Sequence, residues 1–143
     1  MQMTKKIILS TLFVLTTNIM CAQGSQDTFR AYLVNNKYEV YLRINFYEQN
    51  VTVPAHELYG ELPGFLGKKS NSFCWLITSC KIKNEREAEL QLINDFGSED
   101  LNATLIRQND STYILRQGEG NTIKVPLKGK WQKLPKVLDF IKK

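Results

Sequence analysis

The feature that most constrains the fold of this 143-residue chain is an alternation of apolar and polar residues that begins near Thr28. Turn-forming residues interrupt the alternation about every ten positions. A period of two places successive side chains on opposite faces of a strand. Short alternating strands separated by regular turns are typical of an antiparallel meander, so the sequence predicts an all-β domain.

Four hairpins can be drawn with registers that keep apolar residues on one face. A two-residue loop at positions 35–36 pairs Leu33 with Tyr38 and Ala31 with Val40. Agreement between the turn position and the hydrophobic pattern supports each register, because a slip by one residue would reverse the faces.

The other three hairpins follow the same rule. A loop at 84–86 pairs Cys80 with Leu90 and Thr78 with Leu92 on the inner face, and it sets lysines opposite glutamates on the outer face. Two further loops are predicted at 109–111 and 118–120. These pair Leu105 with Leu115, Leu115 with Ile123, and Tyr113 with Val125.

Two segments are less regular. Between positions 50 and 72 the chain predicts a short edge strand at 51–55 and a strand broken at Pro63. The segment from Leu134 to Ile141 places apolar residues at helical spacing, and Pro135 suits a first helical turn. We therefore expect a short C-terminal helix that docks on the domain, with a final strand as the alternative.

About eight strands in up-and-down order predict a small closed barrel, because closure removes the exposed edges of an open meander. A sandwich-like arrangement of two sheets is the alternative. The predicted architecture is comparable to that of lipocalin-type or avidin-type barrels, although the Gly-x-Trp of the first lipocalin strand is missing.

The N-terminal 22 residues have the pattern of a secretory signal peptide. Lys5 and Lys6 precede an apolar stretch at 7–15, and the expected cleavage site follows Ala22. The domain would then comprise residues 23–143, exported to the periplasm or secreted. An alternative is acylation of Cys21, although the residues before it fit a lipoprotein signal poorly.

The charge of the expected mature chain gives little support to a nucleic-acid partner. Removal of residues 1–22 leaves 17 basic and 14 acidic residues, a net charge of +3. Lysines are concentrated in the last 20 residues, where seven stand against the single acid Asp139. Such a segment could contact anionic envelope polymers, but a solvated face is its usual meaning.

The cysteines and the single histidine do not form a recognisable catalytic or metal motif. Cys74 and Cys80 lie on one predicted strand, where six residues span about 20 Å and a disulfide needs Cα atoms within roughly 7 Å. We therefore favour two separate buried thiols over a bridge. With His56 they fall short of a four-ligand zinc site, and the acidic stretch at 94–100 indicates a polar turn. No cofactor or metal is predicted.

The predicted faces place several aromatic residues outside the barrel. If Cys74 and Thr78 face inward, Trp75 and Ile77 face outward, and Tyr41 and Tyr47 likewise point outward from an earlier strand. An exposed aromatic patch of this kind marks a protein interface unless the C-terminal helix covers it. The candidate binding residues are therefore Trp75, Ile77, Tyr41 and Tyr47.

These observations predict an exported, non-catalytic binding protein, not an enzyme. We expect it to bind and inhibit another protein, such as a toxin or a protease, in the manner of an immunity protein or a protease inhibitor. The alternative is a lipocalin-like carrier of a small apolar ligand. Bulky residues predicted to face inward argue against a roomy interior: Phe29, Leu33, Tyr38, Leu42, Phe46, Leu90, Leu92, Leu105 and Leu115.

Overall fold

The computed structural model describes residues 27–143, so the expected signal peptide lies outside the described residues. Nearly all regular structure in the described part is β-strand, apart from a short 3-10 helix at Glu57–Tyr59. No helix in residues 27–143 has the length and apolar character needed to cross a membrane. The strands are β1 (Arg30–Asn35), β2 (Val40–Asn45), β3 (Val51–Thr52), β4 (Glu61–Leu62), β5 (Gly64–Lys68), β6 (Cys74–Ile82), β7 (Glu87–Asn94), β8 (Asp100–Arg107), β9 (Thr112–Gly120), β10 (Lys124–Leu127), β11 (Lys130–Lys133) and β12 (Val137–Lys142).

Eight of these strands form a closed antiparallel barrel in the order β1-β12-β9-β8-β7-β6-β5-β2. The remaining four make two short ribbons, β3–β4 and β10–β11. The predicted all-β barrel of about eight strands is therefore confirmed. Closure leaves each barrel strand with a neighbour on both sides, so the barrel itself presents no free edge.

The prediction of a C-terminal helix is wrong, and the alternative strand is observed. β12 pairs with both β1 and β9, which closes the barrel. Leu138 and Phe140 are buried, whereas Val137 and Ile141 are exposed, which is the period of a strand. The apolar residues of this segment fit either period. The edges of β1 and β9 favour the strand, because a short helix would leave their backbone N–H and C=O groups unpaired.

The hairpins at 84–86 and 109–111 have the predicted pairings of Cys80 with Leu90 and of Leu105 with Leu115. The first hairpin has a wider loop, in which Asn35 pairs with Val40. The Asn35 side chain accepts a hydrogen bond from Tyr38 N at 2.8 Å and so stabilises the four-residue turn.

The shift in the first hairpin is even, so the faces of its strands remain as predicted. Leu33 now pairs with Leu42, and both are buried. The predicted two-residue turn is therefore wrong, but the predicted distribution of apolar residues between the inner and outer faces is correct.

The fourth predicted hairpin, at 118–120, is not formed. β9 runs through to Gly120 and pairs with β12, whereas β10 pairs with β11. Gln117 fixes this arrangement, because its Nε2 donates to Pro135 O at 2.8 Å and its Oε1 accepts from Ile123 N at 2.7 Å. One buried side chain thus joins the barrel to both ends of the β10–β11 ribbon.

A β-bulge in β6 changes the faces of its first half. Ile77 pairs with Leu92, and both Thr78 and Ser79 stand opposite Gln91. Thr78 Oγ1 donates to Gln91 O at 3.3 Å, and Ser79 Oγ donates to Gln91 Oε1 at 2.8 Å. An extra residue in one strand reverses the alternation beyond it. Residues before the bulge therefore face opposite to the prediction.

The barrel interior is filled with large apolar side chains. Bulky interior residues of this kind fill an eight-stranded barrel without leaving a channel. The largest fully buried members of this core are Trp75, Tyr113, Phe29, Phe140, Leu33, Leu42, Leu66, Ile77, Leu92, Leu105 and Leu115.

A second, smaller apolar cluster lies on the outer face of the barrel. Val53, Phe65, Cys74 and Leu76 are buried there, with Val51 and Leu62 of the β3–β4 ribbon packed against them. The ribbon thus covers the outer side of β5 and β6. The sequence prediction had placed Cys74 inside the barrel, and the bulge explains why it lies in this outer cluster instead.

Candidate functional site

The predicted interface residues Trp75 and Ile77 lie in the barrel interior, and both are 0% exposed. Trp75 Nε1 donates to Lys124 O at 2.9 Å, which satisfies its one polar group. The prediction that these two side chains face outward is therefore wrong. Its error follows from the unrecognised bulge at Thr78, because the outward assignment continued an unbroken alternation from Cys80.

Tyr41 and Tyr47 do not form a joint patch with each other or with Trp75. The Tyr41 ring lies directly over Gly67, where an added Cβ would come within 2.4 Å of it, and it meets Phe65 edge-on at 5.8 Å. It belongs to the outer cluster. Tyr47 is partly exposed, and its hydroxyl oxygen accepts a hydrogen bond from Phe29 N at 3.2 Å.

A different group of aromatic residues opens to the surface at one end of the barrel. The Phe73 ring centroid lies 5.9 Å from that of Phe96 and 5.0 Å from that of Trp131. Phe96 is 71% exposed and Trp131 is 55% exposed, whereas Phe73 is buried between them. The three residues, here called the aromatic cleft, line a half-open cavity of about 240 Å³ whose floor includes Trp75.

Phe96 is held by the turn that joins β7 to β8. Asn94 Oδ1 accepts hydrogen bonds from Ser98 N at 2.9 Å and from Glu99 N at 3.2 Å. An asparagine that bonds backbone N–H groups a few residues ahead is a common way to order a turn. Phe96 is therefore presented on a turn with an internal hydrogen-bond network.

Trp131 is held by the β10–β11 ribbon. The two-residue loop of this hairpin is Lys128-Gly129, and both residues have positive φ, 49° and 76°. Positive φ at both central positions matches the type I′ turn that suits a tight hairpin. The ribbon is tied to the barrel by an ion pair between Lys124 and Glu99 at 3.1 Å. Both walls of the aromatic cleft are thus fixed to the barrel.

The surface on the β10–β11 side of the aromatic cleft is basic. Between Glu119 and Asp139 the chain has five lysines and no acidic residue. Lys128, Lys130 and Lys133 are exposed on the β10–β11 ribbon that carries Trp131. A surface with this charge attracts carboxylate-rich partners and raises their rate of encounter.

A polar cluster lies near the aromatic cleft, on the outer side of the barrel. His56, Cys74 and Asp95 bring their ligating atoms within 4.8 Å of one another. His56 Nε2 lies 2.9 Å from Ser72 O, and the Tyr59 hydroxyl donates to the backbone oxygen of Asp95 at 2.8 Å. From the sequence, His56 and the two cysteines fell short of a zinc site, and nothing in the sequence placed Asp95 beside His56 and Cys74.

The ionisation of this cluster argues against a nucleophilic cysteine. Burial, with a smaller contribution from Asp95, raises the pKa of the Cys74 thiol to about 12. Burial likewise raises the pKa of the Asp95 carboxyl, against smaller lowering effects of His56 and neighbouring backbone groups. The thiolate is the reactive form of cysteine, so Cys74 is a poor nucleophile at neutral pH. Both Cys74 and Cys80 are free, as predicted.

The sequence carries only a weak signal for the aromatic cleft and none for the cluster of His56, Cys74 and Asp95. Phe96 is a single aromatic residue in an otherwise polar turn, and Trp131 is flanked by lysines, so both could be read as surface aromatics. His56, Cys74 and Asp95 have no motif spacing, and only the fold brings them together.

Comparison of the chain with profiles of protein families, with curated proteins and with solved structures finds no match in any of the three.

Proposed function

We propose that the protein is an exported, non-catalytic binding protein and that the aromatic cleft holds an apolar side chain of a protein partner. The observation that carries the proposal is the exposure of Phe96 and Trp131, 71% and 55%, over the buried Phe73. Aromatic residues with a large contact area and few rotatable bonds are frequent anchors of protein interfaces. Export rests on the signal-peptide pattern of residues 1–22.

Rigid support makes these side chains suitable anchors. The ordered turn around Phe96 and the ion pair between Lys124 and Glu99 hold both walls of the aromatic cleft before any partner arrives. An interface that is already ordered loses little conformational entropy on binding. The same aromatic residues on mobile loops would bind more weakly for the same contact area.

The charges indicate the chemistry of the partner. The exposed lysines of the β10–β11 ribbon lie on the Trp131 side of the cleft, so a complementary surface has an apolar side chain with Asp or Glu on the side that meets the ribbon. An acidic toxin or protease fits this description, and the protein would then act as its immunity protein or inhibitor. Rim charges of this kind chiefly accelerate association and select the partner.

The carrier hypothesis has less support. The barrel interior is occupied by its own large side chains, Trp75 and Tyr113 among them. The aromatic cleft, at about 240 Å³, is below the range of roughly 300 to 1,000 Å³ usual for small-molecule pockets. It is also half open, which suits the insertion of one side chain from a larger surface.

The proposal can be tested by site-specific photocrosslinking in the organism that makes the protein. A benzophenone amino acid would replace Trp131 and, in the control, Ile141, which is 56% exposed on β12. We expect a specific protein adduct from position 131 and none from position 141. Equal adducts from both positions, or none from position 131, would refute the assignment of the aromatic cleft.

A further inference from the structure

We propose that His56, Cys74 and Asp95 bind a divalent transition-metal ion of the zinc class. Three different segments supply the ligands: His56 precedes the 3-10 helix, Cys74 begins β6, and Asp95 lies in the β7–β8 turn. Their ligating atoms all lie within 4.8 Å of one another. Around a tetrahedral zinc ion with bonds of about 2.0 to 2.3 Å, the ligating atoms lie roughly 3.3 to 3.8 Å apart. The three ligating atoms would therefore have to approach one another by about 1 Å to bind the ion.

The histidine is prepared for coordination by its backbone contact. Ser72 O can only accept a hydrogen bond, so His56 Nε2 donates to it at 2.9 Å. With this hydrogen bond made by Nε2, Nδ1 is the ring nitrogen that would bind the ion. Histidine ligands usually donate their second ring N–H to a carbonyl or a carboxylate, and this contact fixes the tautomer and the ring orientation.

The aspartate provides a second, independent observation. Asp95 Oδ1 is buried and has no hydrogen-bond partner within residues 27–143. Buried polar atoms are nearly always paired, and an unpaired one is costly. A cation between Asp95, Cys74 and His56 would provide that missing partner. The hydroxyl of Tyr59 holds the Asp95 backbone in place from the other side.

The donor set selects the class of metal. One imidazole nitrogen, one thiolate sulfur and one carboxylate oxygen suit zinc and similar transition ions. Calcium and magnesium prefer sites made of oxygen ligands alone. Coordination would remove the thiol proton of Cys74, as metal ions do with cysteine ligands. The fourth position of a tetrahedral ion would be taken by water or by a group from another molecule.

Metal binding would have a mechanical consequence. The ion would join the segment after β3 to the start of β6 and to the turn that presents Phe96. This inference does not depend on the proposed protein partner, because it rests on residues outside the aromatic cleft and is tested without one.

The test uses the full secreted protein, freed of metal with a chelator and titrated with Co²⁺ and then Zn²⁺. We expect one ion per chain, with the thiolate-to-cobalt charge-transfer absorption that reports a cysteine ligand. Cys74→Ser should abolish that absorption and weaken binding by about 100-fold or more, whereas Cys80→Ser should leave both unchanged. Absence of the absorption in the wild type, or its persistence in Cys74→Ser, would overturn the proposal.

A second variant keeps the test valid if Cys74→Ser fails to fold. His56 lies at the edge of the outer cluster and is only half-buried, so His56→Gln should preserve the fold. Zn²⁺ should raise the melting temperature of the wild type, because it binds only the folded state, and should leave that of His56→Gln unchanged. An equal shift in both proteins, or no shift in either, would contradict the metal site.

Discussion

Trp75 lies in the core, although the alternation of residues counted from Cys80 predicts that it is on the surface. Its ring is fully buried, and its indole nitrogen donates to Lys124 O at 2.9 Å. The side chain therefore joins the barrel interior to the β10–β11 ribbon. It also forms the floor of the aromatic cleft, so it supports the proposed binding surface from below.

This position predicts different effects for the two tryptophans of the chain. Trp75→Ala should lower the free energy of unfolding by about 3 to 5 kcal/mol, because it leaves a large cavity in the core. Trp131→Ala should change it by less than about 0.5 kcal/mol, because its side chain is mostly exposed. Urea unfolding of both variants measures the difference. A small effect of Trp75→Ala would mean that the strand faces are those of the original sequence prediction.

The ion pair between Glu39 and Lys68 predicts a pH dependence. The Lys68 side chain is buried, its Nζ lies 2.9 Å from Glu39 Oε2, and their hydrogen bond lowers the pKa of Glu39 below 4.5. The pair therefore contributes stability above pH 4.5 that is lost as the pH falls through the lowered pKa of the folded state. Melting temperatures of the wild type and Glu39→Gln should converge in that acidic range. A constant difference down to the lowest pH would show that the pair does not control acid stability.

At the scale of strands and turns, the sequence predicted most hairpin positions but not the bulge. Asn84 and Asn109 marked two turns, and alternation then gave the pairing of Cys80 with Leu90 and of Leu105 with Leu115. Thr78 and Ser79 are both small and polar, so neither residue signals that one of them is extra. The apolar residues before them fit either face, because both faces of this part of β6 are buried.

The bulge can be tested by deletion. Removal of Thr78 takes out the extra residue, so β6 becomes regular while Trp75, Ile77 and Cys80 all stay on the inner face. We expect this variant to fold and to lose no more than about 2 kcal/mol of stability, since the pairing on both sides of the deletion keeps its register. Thr78→Ala is the matched control and should be tolerated within about 1 kcal/mol. A deletion variant that unfolds would argue against the bulge, because the loss of one residue from an unbulged strand moves a whole set of apolar side chains to the other face.

The C-terminal strand was mispredicted for a different reason. Leu138 and Phe140 are two residues apart, and the apolar residues around them also fit a helical arc. Local pattern could not decide between the two, but β1 and β9 present edges that only a strand can pair with. Long-range hydrogen bonding decided the outcome, and such partners are not visible in the segment itself.

At the scale of the whole molecule, the class of fold was predictable and the site was not. Regular alternation and turn spacing were sufficient for an all-β barrel. The aromatic cleft depends on how β6, the β7–β8 turn and the β10–β11 ribbon meet at one end of the barrel. The same holds for His56, Cys74 and Asp95, which are brought together by the packing of the β3–β4 ribbon.

The charge distribution predicts how the whole molecule would associate with the proposed partner. Reversing charge with Lys130→Glu and Lys133→Glu together should lower the association rate about tenfold at low salt and change the dissociation rate little. Raising the salt concentration should reduce the difference from the wild type, because it screens the attraction. Surface plasmon resonance with the crosslinked partner measures both rates. A salt-independent association rate would show that the lysines do not steer binding.

The most direct test of the proposed binding surface is the dissociation constant of that partner for three variants. Phe96→Ala and Trp131→Ala should each weaken binding by about 30-fold or more, the loss expected for an interface anchor. Ile141→Ala removes a side chain of similar exposure from β12, and it should bind as the wild type does. If both aromatic variants retain wild-type affinity, the aromatic cleft is not the binding surface.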